Sequence, residues 1–118
     1  MREAYFVDLA GSERVFSPVG RLSKEAIEIN KSLFFLRKVI ISLEEMNTSE
    51  KEQYIPYRDS KLTSILKRAF GGNCLTTLIA CINPHQDYLE ETLSTLQYAV
   101  SASRIHNQAV INVDIKTR

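Results

Sequence analysis

A short stretch near the start of the chain, YFVDLAGSER at residues 5–14, places a carboxylate and a glycine after an apolar run. The apolar residues 5–7 are typical of a strand that is buried on both faces. Asp8 would then face the crevice in which open α/β sheets bind ligands, where a carboxylate can help hold Mg²⁺. Gly11 in the following turn lets the backbone approach a phosphate, because glycine has no side chain. An ordinary strand followed by a polar turn has the same pattern, so this stretch alone leaves both interpretations open.

Length and composition describe an ordinary globular domain. The 118 residues suit one small domain, and the 15 basic and 14 acidic residues give no overall bias towards nucleic acid or an anionic membrane. No apolar run approaches the roughly 20 residues of a membrane span, and the N-terminus lacks the features of a signal peptide. Cys74 and Cys81 fall in one predicted strand and point to opposite faces, so they cannot pair with each other. Two unpaired thiols favour a reducing, cytoplasmic compartment.

Periodicity and turn residues predict strands that alternate with helices. Ser23 is the expected N-cap of the longest helix. A second helix begins at a cap supplied by Asp59 or Ser60 and ends at two glycines, and a third opens with a capping box at Asp87. The predicted elements are strand 4–9, loop 10–21, helix 23–46, polar loop 47–53, a helix up to residue 70, strand 74–82, a helix from residue 87, and a short strand at 109–113.

Each predicted helix has an apolar stripe that should face a core. The stripes are Ile29, Leu33, Leu36, Ile40 and Leu43; Leu62, Ile65, Leu66, Ala69 and Phe70; and Leu89, Leu93, Leu96 and Val100. This arrangement predicts an α/β layered fold. Two long strands and a short tail strand cannot cover three helices well, so we expect further helices and strands before Met1.

Five motifs carry a resemblance to a known family. They are DLAGSER at 8–14, INKSL at 29–33, YRDSKLTSIL at 57–66, GGNC at 71–74 and LSTLQYA at 93–99. Their order and spacing resemble the C-terminal third of a kinesin motor domain. The resemblance implies a three-layer P-loop NTPase fold of which only the C-terminal part of the central sheet and its flanking helices is present. It divides the chain into 1–106, part of the motor domain, and 107–118, the start of the neck linker. The motor part comprises the switch II strand and loop (1–22), the relay helix (23–46), the microtubule-binding loop and helix (47–72), and a strand and last helix (73–106).

By this resemblance, the first motif belongs to the nucleotide site. Asp8 is similar to the switch II aspartate that supports Mg²⁺ through its water shell, without direct metal ligation, and Gly11 to the residue whose N–H senses the γ-phosphate. Glu13 resembles the acid that pairs with a switch I arginine and organises the attacking water. Ser12 would belong to the same switch, and Asn30 would tie the relay helix back to it. For Asn30, a surface asparagine early in a helix is the alternative.

The resemblance also assigns a track-binding face and a docking strand. Arg58 and Lys61 occupy the positions of microtubule contacts, and Arg14 and Lys24 are nearby candidates. Asn112, in NQAVINVD at 107–114, would take part in neck-linker docking. Solvated surface charge is the alternative for each cation, and for Lys31, Lys67 and Arg68 it is the interpretation we favour.

Two family motifs are absent from the sequence. It contains no GxxxxGK[ST] phosphate loop and no switch I serine-arginine motif. We therefore expect the 118 residues alone to bind no ATP or Mg²⁺ and to be inactive, although the complete motor would use both.

Three functions compete. The first is part of an ATP-driven microtubule motor, cytoplasmic and cytoskeletal, that needs the rest of the motor domain and dimerises through a missing stalk. The second is a non-catalytic kinesin-like module that binds microtubules or another partner. The third, another P-loop NTPase, is disfavoured by INKSL and YRDSK. Nucleic acid and membrane are not expected partners.

Overall fold

A computed structural model describes residues 3–11, 24–49 and 53–110 of the chain. Within these residues the regular structure is helical, and the core forms where the helices meet. The α-helices are α1 (Lys24–Ser49), α2 (Lys61–Ile65) and α3 (Leu89–Ser103), and 3₁₀ turns lie at Tyr57–Asp59, Leu66–Arg68 and Gln86–Tyr88.

Helix α1 is the longest element and supplies most of the core. Its 26 residues span about 39 Å at the usual rise per residue. The predicted stripe is confirmed in the C-terminal half, where Leu36, Ile40 and Leu43 are buried and Val39 is buried beside them. At the other end of the stripe Ile29 is exposed. The C-terminal half of α1 is therefore the part on which the other elements pack.

The end of α1 differs from the prediction. The helix continues through Ser49, so the predicted end at residue 46 and the predicted loop at 47–49 are wrong. The Thr48 hydroxyl donates to the Glu44 carbonyl and the Ser49 hydroxyl to the Glu45 carbonyl, each at 2.7 Å. These polar side chains bond the carbonyls of the last turns, which lets residues with a loop-like composition continue the helix.

Helix α2 is capped by Ser60, one of the two predicted candidates. The Ser60 hydroxyl accepts from the Thr63 N–H at 3.1 Å, and the Thr63 hydroxyl accepts from the Ser60 N–H at 3.2 Å. Leu66 and Phe70 are buried as predicted, but Ile65 is 76% exposed. Buried positions four residues apart define one narrow stripe against α1, and Ile65 lies beside it.

The start of α3 is also different from the prediction. The carboxylate of Asp87 does not cap the helix; instead the His85 ring accepts from the Asp87 N–H at 3.3 Å, one turn earlier. Tyr98 and Ala102 pack against the core. The predicted stripe of Leu89, Leu93, Leu96 and Val100 is about half exposed, because α3 meets α1 through a different face.

The two long predicted strands have no regular secondary structure among the described residues. Residues 3–11 and 75–84 form no β-ladder among the described residues, so the partial sheet is not confirmed. Phe6 is 98% exposed and Leu75 is 95% exposed, contrary to the expectation of buried strands. A strand is stabilised by its neighbours, and the family resemblance places another strand between these two. The short strand predicted at 109–113 lies partly outside the described residues, and 109–110 is not in a strand.

We predict that the purified 118-residue chain self-associates or is partly molten. Large apolar side chains are exposed in segments 3–11 and 75–84 and along the α3 stripe, and they favour edge-to-edge association. Binding of a hydrophobic dye and sedimentation velocity would measure this. A sharp cooperative melt from a dilute monomer would contradict the prediction.

A second prediction concerns the buried hydroxyl of Thr63. Thr63→Val keeps the side-chain volume but leaves the Ser60 N–H and the Tyr57 carbonyl with fewer partners. We expect amide exchange in α2 of the full-length protein to accelerate about tenfold, roughly 1.4 kcal/mol, since unsatisfied buried polar groups are costly.

Ser64→Ala is the matched control for this change. The Ser64 hydroxyl also donates to the Tyr57 carbonyl, at 2.9 Å, but Ser64 is exposed and water can replace its bond. Its effect should stay below about threefold. Equal acceleration in both variants would show that burial of Thr63 is unimportant.

Candidate functional site

The turn before α2, residues 57–60, is held by hydrogen bonds to its backbone. The Tyr57 carbonyl accepts from the Thr63 hydroxyl at 2.7 Å and from the Ser64 hydroxyl at 2.9 Å. Pro56 is buried just ahead of the turn, and the Tyr57 N–H donates to the Ile55 carbonyl at 2.8 Å. Because both ends of the turn are tied down, its side chains project from a fixed backbone.

One predicted site residue, Arg58, projects from this turn, and another, Lys61, from the first position of α2. Arg58 and Lys61 are both exposed, and they line one shallow surface depression. The depression is completed by Asp59, Ser60, Ser64 and Ile65. The structure therefore brings Arg58 and Lys61 together on one surface that carries two cations and one carboxylate.

Tyr57 anchors the underside of the turn. Its hydroxyl donates to the Phe70 carbonyl at 2.7 Å, and burial raises the pKa of the phenol. The Lys67 ammonium lies 5.4 Å from the centre of the ring, a cation–π distance. A Cβ added to Gly71, whose φ is +77°, would lie 2.9 Å from the Tyr57 hydroxyl. Glycine at position 71 thus allows the close approach of the chain to Tyr57.

A salt bridge joins α1 to the same turn. The Lys38 ammonium lies 3.1 Å from the Asp59 carboxylate. The backbone is fixed at both residues. Val39, next to Lys38, is buried, and Ser60, next to Asp59, caps α2. Sequence reasoning missed this pair, because twenty-one positions separate its members and no local spacing links them.

The C-terminal ends of α1 and α3 are joined by polar contacts. The Glu44 carboxylate accepts from the Arg104 guanidinium, and the Asn47 amide donates to the Arg104 carbonyl at 3.1 Å. Hydrogen bonds from Ser101 and Arg104 hold the pKa of the Glu44 carboxyl below its ordinary value. Burial raises the pKa of Tyr98, on the core side of α3, to about 12. This junction fixes the end of α3 on α1.

Asn107 connects the segment after α3 to the glycine turn. Its carbonyl oxygen accepts from the Gly71 N–H at 2.7 Å, and its amide donates to the carbonyls of Ala69 at 2.7 Å and Cys74 at 2.9 Å. The Gln108 N–H donates to the Gly72 carbonyl at 3.0 Å. Sequence reasoning missed Asn107 as well, although an asparagine just after a helix is a common signal for bonding of turn backbone.

The other predicted residues lie in other parts of the chain. Asp8 and Gly11 are exposed within segment 3–11, which has no regular secondary structure. Lys24 is the exposed first residue of α1, and Asn30 is half-buried one and a half turns later. Four predicted residues lie outside the described residues, namely Ser12, Glu13, Arg14 and Asn112, as does the predicted cap Ser23.

The described residues offer no direct metal site. Among them, no group of three His, Cys, Asp or Glu side chains is arranged to hold a metal ion. Both cysteines are free. No described helix is both long enough and apolar enough to cross a membrane.

Comparisons with known proteins identify the family. The family model for the kinesin motor domain matches residues 2–105. Kinesin-related protein 1 of Dictyostelium discoideum is 51% identical over 114 residues, which cover 95% of this chain and 5% of that protein. Human kinesin-like protein KIF7 is 48% identical over 110 residues, 92% of this chain and 8% of that protein.

A solved structure agrees with the sequence comparisons. The chain matches a KIF14 dimer in the two-heads-bound state, with AMP-PNP and in complex with a microtubule, at a TM-score of 0.82 and 46% identity. The match covers 94% of this chain and 31% of the KIF14 chain. The chain thus spans less than a tenth of the curated relatives named above and about a third of the solved motor. It belongs to the kinesin motor domain family.

Proposed function

We propose that the chain is part of an ATP-driven microtubule motor, in which it couples the nucleotide state to microtubule binding and neck-linker docking. The observation that carries this proposal is the exposed pair of Arg58 and Lys61 beside a backbone held by hydrogen bonds from Thr63 and Ser64. The microtubule-bound KIF14 motor, to which the chain is similar over 94% of its length, supports it. The alternative of a non-catalytic kinesin-like module has no observation in its favour.

The track-binding role follows from charge and rigidity. The outer surface of tubulin is acidic, so cations on this turn would be attracted to it. The Tyr57 backbone is fixed by Thr63 and Ser64, which limits the entropy lost when Arg58 and Lys61 meet the track. A weak, reusable electrostatic contact is what a stepping motor requires. Lys24, exposed at the start of α1, and Arg14 would extend the contact.

The nucleotide site would be completed by the rest of the motor domain. Asp8 is exposed, and Gly11 presents a backbone without a side chain, which suits a carboxylate that holds Mg²⁺ through water and an N–H that meets a phosphate. MgATP would supply the phosphoryl group that is transferred to water. Glu13 would orient that water, and Ser12 and Asn30 would link the switch to α1. For the chain alone, the absence of nucleotide binding and of activity stays a prediction.

The mechanical output would pass from α1 to the segment after α3. The Glu44–Arg104 and Asn47–Arg104 contacts tie the end of α3 to α1, the proposed relay helix. Asn107 then fixes the start of the next segment on the turn at 71–74. A shift of α1 would therefore move the base of the neck linker, whose docking strand would include Asn112.

Partners and location follow from this proposal. The complete protein would act on cytoplasmic microtubules and, like the dimeric KIF14 structure, could work as a pair of motor domains. Dimerisation would use a stalk outside the present sequence. Nucleic acid and membranes would not be its partners.

The central test reverses the two cations of the turn. In a complete motor, Arg58→Glu with Lys61→Glu should lower microtubule affinity at least tenfold, roughly 1.4 kcal/mol, and flatten its salt dependence. Folding should barely change, because exposed charges contribute little to stability. Co-sedimentation across a salt series measures both quantities.

Lys31→Glu with Arg68→Glu is the matched control. This pair has the same charge change and both residues are exposed, but neither lines the depression. Its effect on affinity should be clearly smaller. If the Arg58 and Lys61 variant binds like the wild type at every salt concentration, this turn is not the track-binding element.

A further prediction tests the catalytic role of Glu13. Glu13→Ala in a complete motor should still bind ATP but turn it over at least a hundredfold more slowly, since an interaction made in the transition state is lost. Nucleotide titration and steady-state turnover measure the two effects. Unchanged turnover would remove Glu13 from the catalytic residues.

A further inference from the structure

A carboxylate lies within the proposed track-binding surface. Asp59 is adjacent to Arg58 in the chain, two residues before Lys61, and lines the same depression. Its side chain is 30% exposed, so it can be reached from that surface. An acidic track would be repelled by a free carboxylate here, and such a carboxylate could also pair with either neighbouring cation and withdraw it from the track.

The structure gives this carboxylate another partner. The Lys38 ammonium from α1 lies 3.1 Å from Asp59. Neither Arg58 nor Lys61 forms an ion pair with any residue that the structure describes. The two cations of the turn therefore remain available, while the carboxylate between them is neutralised from outside the turn.

Both members of the pair have fixed backbones. Val39 and Ile40, which follow Lys38, are 1% and 0% exposed, so packing sets the position of this part of α1. Asp59 is followed by Ser60, whose hydroxyl caps α2. An ion pair between two fixed backbones needs no further ordering of the main chain, so only side-chain freedom is lost when it forms.

We propose that Lys38 is a positioning residue for microtubule binding: it occupies the Asp59 carboxylate and so keeps Arg58 and Lys61 free for the track. The proposal rests on the proposed function of these two cations. It assigns Lys38 an action through Asp59 and no contact of its own with the track.

A double-mutant cycle separates this action from a direct contact. In a complete motor, Lys38→Met should weaken microtubule affinity roughly fivefold when Asp59 is present, but less than about twofold when Asp59→Asn is present as well. Lys38→Arg, which can keep the ion pair, should restore affinity close to the wild-type value. Co-sedimentation at several salt concentrations measures the affinities, and the melting temperature confirms that each variant is folded.

Lys31→Met is the matched control for loss of one charge from α1. Lys31 pairs with Glu28 at 3.8 Å within the same helix, away from the turn in sequence. Its effect should be the same with Asp59 and with Asn at position 59. A Lys38 effect that is equally large in both backgrounds would overturn the inference, because Lys38 would then act as a track contact or as bulk charge.

The two proposals fail in different ways. If the Arg58 and Lys61 reversal weakens binding but Lys38 and Asp59 show no coupling, the inference about Lys38 is wrong and the proposed function stands. If that reversal leaves binding unchanged, both are wrong.

Discussion

The packing of α1 against the chain around α2 is the interaction on which the rest of the described structure depends. Leu36, Val39, Ile40 and Leu43 form one face of the helix and are almost completely buried. Each side chain of this kind stabilises the folded state by about 1.5–3 kcal/mol when fully buried. The partners of this face include Leu66 and Phe70, with residues of α3 at its edge. The candidate track-binding turn and the end of α3 are both attached to this core.

Polar contacts along α1 fix the orientation of the neighbouring elements and contribute little to overall stability. Lys38 reaches the turn before α2, Arg37 donates to the Ser94 hydroxyl at 3.3 Å, and Glu44 and Asn47 hold Arg104. Exposed ion pairs of this type contribute about 0–1 kcal/mol each. One helix thus contacts the candidate track-binding turn at its middle and the end of α3 near its C-terminus. This geometry suits an element that transmits movement between two sites.

The apolar surface that remains exposed has a structural meaning within the family. In segments 3–11 and 75–84, Phe6, Leu75 and Ile79 are more than four-fifths exposed. Large apolar residues in a complete domain are seldom exposed to this extent. The half-exposed stripe of α3 adds to this surface. The chain covers 31% of the solved KIF14 motor chain, so most of that fold has no counterpart here. A mostly parallel sheet needs neighbouring strands for its hydrogen bonds and covering helices for its faces.

Local signals made a good part of the fold predictable from the sequence. The helical period placed α1 and its buried residues Leu36, Ile40 and Leu43, and the serine in YRDSK was one of two expected caps for α2. The motifs alone were sufficient to place the chain in its family, and the resemblance carried by YRDSK singled out Arg58 and Lys61, which the structure places on one surface. These features depend on residues close in sequence, where propensity and capping act directly.

Only the tertiary structure decided which partners distant residues choose. Lys38 with Asp59, Glu44 with Arg104, and Asn107 with the glycine turn join positions far apart in the chain, and no periodicity relates them. The predicted strands are not confirmed for the same reason, since a strand depends on a neighbour that its own residues do not specify. The choice of the α3 face that meets α1 was likewise a matter of packing. Sequence determined the helices and the family, whereas long-range contacts determined how the helices are joined.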